Sequence, residues 1–235
     1  MQDLFEPLRN AAPDRPFVIG QIGQSLDGRI ATTTGDSKYV NGDAGLTHLH
    51  QLRALVDAVV IGVGTAVADD PQLTVRRVAG SHPARVVIDP RGRLPTDARL
   101  LTDDGVRRIV LVEDGACTSM PDGVEVVSLP AENRQMAPAA ILDCLGALGL
   151  RRVLVEGGAD TVSRFLAAGC LDRLHVIVSP LIVGSGQHSF TLPPIERMGE
   201  ALRPPTHAHM LDGDIVFDCD LSAQRMPAGC AKKST

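Results

Sequence analysis

Three features of the sequence predict an α/β fold built on a mostly parallel central sheet. Apolar runs of strand length alternate with stretches of helical pattern from residue 17 to about residue 178. Two of these runs, 58–61 and 152–155, end in glycines from which a helical pattern starts. Late in the chain the pattern changes: 207–211 and 214–221 flank Asp212-Gly213, a dipeptide suited to a tight hairpin turn, so an antiparallel hairpin closes the sheet.

The elements follow in order. A strand over 17–22 leads to Ser25-Leu26-Asp27-Gly28, which reads as a turn between strands and gives Asp27 and Gly28 a structural role. A helix over 46–56 has Asp43 as its candidate N-cap. Strands are expected at 58–62, 85–88, 108–112, 124–127, 152–155 and 173–178, and helices at 137–148 and 161–168. Gly169 sits where the last of these helices should stop. With no repeat and no Ser/Gly linker, a single domain over 1–222 with its core at 17–221 is expected, and residues 223–235 read as a disordered polar tail.

Composition narrows the partners. Lys plus Arg number 23 against 28 Asp plus Glu, a net charge of −5, and there is no Trp and a single Tyr. A nucleic-acid binder would need a basic face or an aromatic stacking platform, so nucleic acid is not expected as a partner. An acidic chain still binds an anionic small molecule where a few arginines converge on one cleft. Five scattered cysteines without a CxxC pair or zinc spacing fit a reducing cytoplasm, and no metal site is expected. No basic-plus-apolar leader opens the chain and no run approaches 18 apolar residues, so neither export nor membrane insertion is expected.

Three constellations carry chemistry. In Gly62-Val63-Gly64-Thr65, followed by Asp69-Asp70-Pro71-Gln72-Leu73-Thr74-Val75-Arg76, glycines let a ligand approach the backbone and Thr65 can cap a short helix that would receive a phosphate. Position 67 is Val, so the GxGxxG dinucleotide fingerprint is not met, and an empty strand-to-helix turn is the bland alternative. The second is Val155-Glu156-Gly157-Gly158, opening a helix through Ala159, Asp160, Thr161, Val162, Ser163 and Arg164. Glu156 either satisfies nearby backbone N–H groups or touches a ligand. The third is Gly23 to Ala31 with Gly35-Asp36-Ser37-Lys38-Tyr39, where the lone tyrosine either packs on a ligand ring or covers a surface loop. Arg91 and Arg93, just after a strand, either read a 2′-phosphate or stand in solvent.

The motifs S-L-D-G-R-I-A, G-D-S-x-Y, L-R-A at Leu52-Arg53-Ala54, G-T-x-x-x-D-D-P-x-L-T-V-R and L-V-E-G-G occur in the order found in the reductase domain of riboflavin biosynthesis enzymes. Over residues 17–221 the chain resembles this RibD C-terminal family, which has the dihydrofolate reductase-like three-layer fold. The resemblance implies NADPH-dependent reduction of 5-amino-6-(5-phosphoribosylamino)uracil to its ribitylamino product, with hydride added at ribose C1′. It implies substrate contacts at Ser37, Arg53, Leu73, Arg76 and Glu156, the two arginines being suited to the ribose phosphate. It implies NADPH contacts at Gly23, Tyr39, Thr65, Asp69 and the stretch from Gly158 through Ala159, Asp160, Thr161, Val162 and Ser163 to Arg164. Glu156 and Asp69 are the acidic candidates for a catalytic role, Glu156 by hydrogen-bonding the pyrimidine end.

Two positions depart from the family pattern: Gln21 stands where a Lys is usual and Tyr39 where Trp is usual. The zinc deaminase motifs of bifunctional members are missing from the sequence. Gln21 supports a second reading, reduction of a dihydropterin or another small heterocyclic or carbonyl compound. A third reading is a non-catalytic NADPH-binding module, against which the substrate-side residues count. The late hairpin and the family precedent point to a homodimer.

Overall fold

The computed structural model of the protein describes residues 3–37 and 40–226. In chain order, a short helix α1 (Glu6–Arg9) precedes β1 (Phe17–Ser25), β2 (Arg29–Thr32), α2 (Asp43–Leu55), β3 (Ala58–Gly62) and α3 (Val63–Asp69). Then come β4 (Ala84–Ile88), β5 (Arg108–Glu113), β6 (Val124–Leu129), β7 (Ala131–Glu132), β8 (Gln135–Met136), α4 (Pro138–Ala147), β9 (Arg152–Val155), α5 (Ala159–Ala167), β10 (Arg173–Ser179), β11 (Gly186–His188), β12 (Thr206–Leu211) and β13 (Asp214–Asp220). Nine strands form one sheet in the order β12-β13-β10-β1-β9-β3-β4-β5-β6. Every ladder from β10 across to β6 is parallel. The two ladders made by β13, with β10 and β12, are antiparallel.

The layers follow from where apolar residues lie. Val59, Ile61 and Leu154 share a core cluster with Leu52 of α2 and with Val63 and Ala66 of α3. Their neighbours Val60, Val153 and Val155 pack on the other face with Ile141, Leu142 and Leu145 of α4 and Val162 and Phe165 of α5. The central strands are thus covered on both sides, which is why they read as continuous apolar runs. Each fully buried Val or Ile contributes about 1.5–3 kcal/mol relative to exposure.

Several boundaries differ from the sequence expectation. Asp43 is the first residue of α2, not its cap; Gly42 takes the cap position and Asp43 pairs with Arg77 at 3.0 Å. Likewise α3 is capped by Gly62, which leaves Thr65 inside the helix. Gly169 does follow α5 with φ +62, the left-handed conformation that ends a helix. Residues 223–226, expected in a disordered tail, are held to the body instead. Residues 222–224 form a 3-10 turn, Arg225 Nε donates to Asp172 Oδ2 at 3.2 Å, and the Met226 N–H donates to the Gly169 carbonyl at 3.0 Å. The remainder of that expectation, 227–235, lies outside the described residues.

Candidate active site

The two glycine-bearing strand ends are neighbours, because β3 and β9 pair in parallel with Val60 opposite Val155. Each loop makes room for a threonine of the other. A methyl group on Gly62 would come within 2.6 Å of Thr161 Oγ1, and one on Gly158 within 2.9 Å of Thr65 Oγ1. Gly157 has φ +94, a conformation that side chains resist, and also abuts Thr65. Thr65 Oγ1 then accepts the Gly158 N–H at 2.9 Å, which ties α3 to the start of α5. Only glycine at these positions lets the loops approach so closely.

Above them lie two cavities at the carboxyl ends of the strands. The smaller, about 280 Å³, is walled by Gln21, Gly23, Asn41, Arg53, Leu73 and Glu156 among others. The larger, about 880 Å³, runs past Gly158, Ala159, Asp160, Thr161 and Arg164 to Arg91, Arg93 and Arg134. Ile30, Ser37, Thr65, Asp69 and Gly158 line both, so the cavities share a wall.

In the smaller cavity Glu156 is 3% exposed and bound by Arg53 through two nitrogens, Nη2 to Oε1 at 2.8 Å and Nε to Oε1 at 3.1 Å. Arg53 Nη1 also donates to the Thr74 carbonyl at 3.2 Å. A buried pair of this geometry cancels its own charge, so Arg53 is not the free phosphate grip expected from the sequence. Of the two readings of Glu156, its carboxylate serves the Arg53 side chain and the cavity wall, not backbone N–H groups. Leu73 adopts φ +54, and a left-handed non-glycine residue costs about 1–2 kcal/mol, held here by burial at 2% exposure.

Arg76 lies on the rim and in neither cavity wall, with Nη1 donating to Thr74 Oγ1 at 2.8 Å. Burial, then the nearby charges of Arg53, Arg99 and Arg77, lower its pKa. Burial, then the charges of Arg53, Arg76 and Arg77, push the pKa of His50 down to about 4. The neutral ring can therefore accept the Arg76 N–H on Nδ1 at 2.9 Å, which fixes this cationic rim. Burial raises the pKa of Asp69, at the junction of the two cavities.

The larger groove is shaped by turns. Asp89 is fully buried and its Oδ2 accepts the Leu94 N–H at 2.7 Å, closing the turn that presents Arg91 and Arg93. Arg134 arrives on the β7–β8 hairpin, whose tip residues Asn133 and Arg134 have φ +50 and +62, as in a two-residue primed turn. Sequence reasoning missed this hairpin, and Asn133 at its tip was the available signal. Asn41 and the groove residues Gln187 and His188 were missed as well, with no local pattern to mark them.

Other expected positions fall elsewhere. Gly23 borders the smaller cavity, not the groove of the α5 residues expected with it. Val162 is fully buried in the core and Ser163 accepts the Thr191 N–H at 2.9 Å, because the helical turn carries both away from the groove. Tyr39 lies outside the described residues. Asp27 has the structural role expected: it accepts from Ser25 Oγ and from the Val183 and Gly184 N–H groups, and its pKa is lowered to about 2, chiefly by the Ser25 bond.

A layered α/β protein with two joined cavities at the carboxyl end of its sheet has the layout of one that binds ligands there. Residues 16–213 match the family described as RibD C-terminal domain, and the chain belongs to that family. It is 36% identical over 200 residues to a 2,5-diamino-6-ribosylamino-4(3H)-pyrimidinone 5′-phosphate reductase of Methanothermobacter thermautotrophicus, covering 80% of this chain and 90% of the relative. It is 35% identical over 177 residues to the riboflavin biosynthesis protein RibD of Aquifex aeolicus, covering 74% of this chain and 49% of the relative. The chain thus spans about half the length of that RibD relative. A solved deaminase/5-amino-6-(5-phosphoribosylamino)uracil reductase of Thermotoga maritima superposes with a TM-score of 0.76 at 29% identity, covering 88% of this chain and 56% of that one. The fold is also that of a Saccharomyces cerevisiae riboflavin biosynthesis reductase, with a TM-score of 0.74 at 22% identity over 93% and 99% of the two chains. The α/β fold expected from the sequence, a mostly parallel central sheet with a late antiparallel hairpin, is therefore the fold observed.

Proposed function

We propose that the protein is an NADPH-dependent reductase of 5-amino-6-(5-phosphoribosylamino)uracil, giving the ribitylamino product of riboflavin biosynthesis. The observation that carries this reading is the wall shared by the two cavities, formed by Ser37, Thr65, Asp69 and Gly158. Because the cavities adjoin at these residues, a nicotinamide in one would lie against a sugar in the other, and such alignment is most of what the reaction asks of the protein.

The residues present fit the cofactor. The start of α5 at Ala159–Thr161 would receive the pyrophosphate on its backbone N–H groups, and Arg91, Arg93 and Arg134 suit the 2′-phosphate. NADPH, when bound, supplies hydride for ribose C1′ once the substrate's ribosylamine has opened to an imine. Glu156, held by Arg53, orients the pyrimidine end, and the rim of Arg76, Arg77 and Arg99 takes the ribose phosphate. Asp69 borders both ligands at the reacting end and completes the wall. Edge strand β12, with Met210 72% exposed, is read as the contact of a cytoplasmic homodimer.

A second substrate, the 2,5-diamino-pyrimidinone analogue, is favoured by the Methanothermobacter relative, which this chain matches over 90% of its length. NADPH consumption with each compound, with the product identified by mass, tests both. The uracil is expected to be reduced with the higher kcat/KM. Turnover of the diamino compound alone would transfer the assignment to it, and consumption with neither would reject the activity.

A further inference from the structure

The smaller cavity holds two neutral carboxamides that the pairing of Arg53 with Glu156 leaves out. Gln21 of β1 is 6% exposed and lines this cavity, yet its carboxamide makes no hydrogen bond to any described residue. Its polar atoms are not sealed in the interior as His48 Nδ1 is, so the part left open faces the cavity. An amide that opens on a cavity without a protein partner is available to one that arrives with the ligand.

Asn41 stands beside it. Gly23 is two residues beyond Gln21 on the same face of β1, and its missing side chain leaves the space that the Asn41 carboxamide fills: a methyl group there would lie 1.6 Å from Asn41 Oδ1. Asn41 Nδ2 donates to Ser179 Oγ at 2.9 Å, which leaves Oδ1 to accept. The segment is clamped by Asp214, 4% exposed, whose Oδ2 accepts the Gly42 N–H at 2.9 Å. A methyl group on Gly45 would meet that same Oδ2 at 2.8 Å, so α2 begins in direct contact with β13.

We infer that Gln21 and Asn41 read the amide edge of the substrate's heterocycle, Gln21 pairing with a ring N–H and its adjacent carbonyl and Asn41 accepting from a second N–H. A carboxamide offers one donor and one acceptor side by side, the complement of a lactam edge. With the charges of Arg53 and Glu156 cancelled, recognition there rests on hydrogen bonds. This inference rests on the proposed function and adds the residues that select the ring.

The test is steady-state kinetics of the full chain with the phosphoribosylaminopyrimidine and with an analogue methylated at the ring nitrogen of its amide edge. Gln21→Leu is expected to raise the substrate KM by about tenfold or more while leaving the KM for NADPH in place. Methylation should penalise the wild type by a similar factor and the leucine variant little, because the same hydrogen bond is lost only once. Gln21→Glu, of the same shape, should show the same substrate-side loss should the leucine variant fold poorly, and Asn41→Ala should raise the substrate KM without moving that of NADPH. An unchanged substrate KM in either Gln21 variant, or a methylation penalty as large in the variant as in the wild type, overturns the inference. No turnover of either pyrimidine by the wild type would instead overturn the functional reading, and this inference with it.

Discussion

The two cavities differ in how they present charge. In the smaller one the buried Arg53–Glu156 pair neutralises itself and Gln21 and Asn41 add two carboxamides to the wall, while the larger ends in three exposed arginines, 91, 93 and 134. A neutral hydrogen-bonding wall discriminates shape and donor pattern, because its buried groups go unpaired with the wrong ring. A cationic, solvated end selects phosphate, and salt screens it. One sheet edge thus carries a site suited to a heterocycle and, across a shared wall, a site suited to a polyanion.

The largest effect should come from breaking the neutral pair. Arg53→Ala leaves Glu156 buried and uncompensated, and a loss of about 3–5 kcal/mol in unfolding free energy is expected by denaturant titration, together with loss of turnover. A variant as stable as the wild type would show that the pair does not hold the cavity floor. At the other end, Arg91→Ala with Arg93→Ala should reduce the preference for NADPH over NADH by about tenfold to a hundredfold, since a charge-assisted bond is worth about 1.5–3 kcal/mol. Calorimetry with 2′,5′-ADP and 5′-ADP checks this without turnover, and equal affinities in the wild type would remove the cationic end from the account.

The packing of the two glycine loops is tested next. Gly62→Ala overlaps Thr161 and is expected to cost about 1–3 kcal/mol of stability, partly recovered when Thr161→Ala is added. Strict additivity of the two changes would mean that the loops do not pack as described. The smallest effect concerns Asp69. Its pKa is raised by burial, so the folded state holds the proton more tightly and the wild type loses stability as pH rises through the folded pKa. Asp69→Asn should therefore show a Tm advantage at about pH 7 that fades toward zero below about pH 3, under the ordinary aspartate value. An advantage independent of pH would contradict a desolvated carboxylate.

What could be read from the sequence follows the physics of burial. The central strands were legible because both of their faces are covered, and the strand from Ala58 to Gly62 and that from Arg152 to Val155 have the boundaries that their apolar runs and terminal glycines predict. The chemistry of Arg53 was not legible, since nothing local says that its guanidinium is spent on Glu156, 103 residues away. Capping failed for a related reason. Asp43 and Thr65 are good caps in isolation, but the helices begin earlier, with Gly42 and Gly62 in the cap positions, and at Gly62 the adjoining Thr161 leaves no room for a side chain. Arg134 depends on a two-residue turn between very short strands, too little pattern to stand out.

Deuteride transfer shows whether the two ligands meet in this site. With NADPH deuterated on the transferring face of its nicotinamide and the phosphoribosylaminouracil as acceptor, the account predicts a ribitylamino product carrying one deuterium, at C1′, with none incorporated from solvent water. A product labelled at any other position, or cofactor oxidised with no deuterium in the product, would contradict a site in which the two ligands meet where the cavities adjoin, at Ser37, Thr65, Asp69 and Gly158.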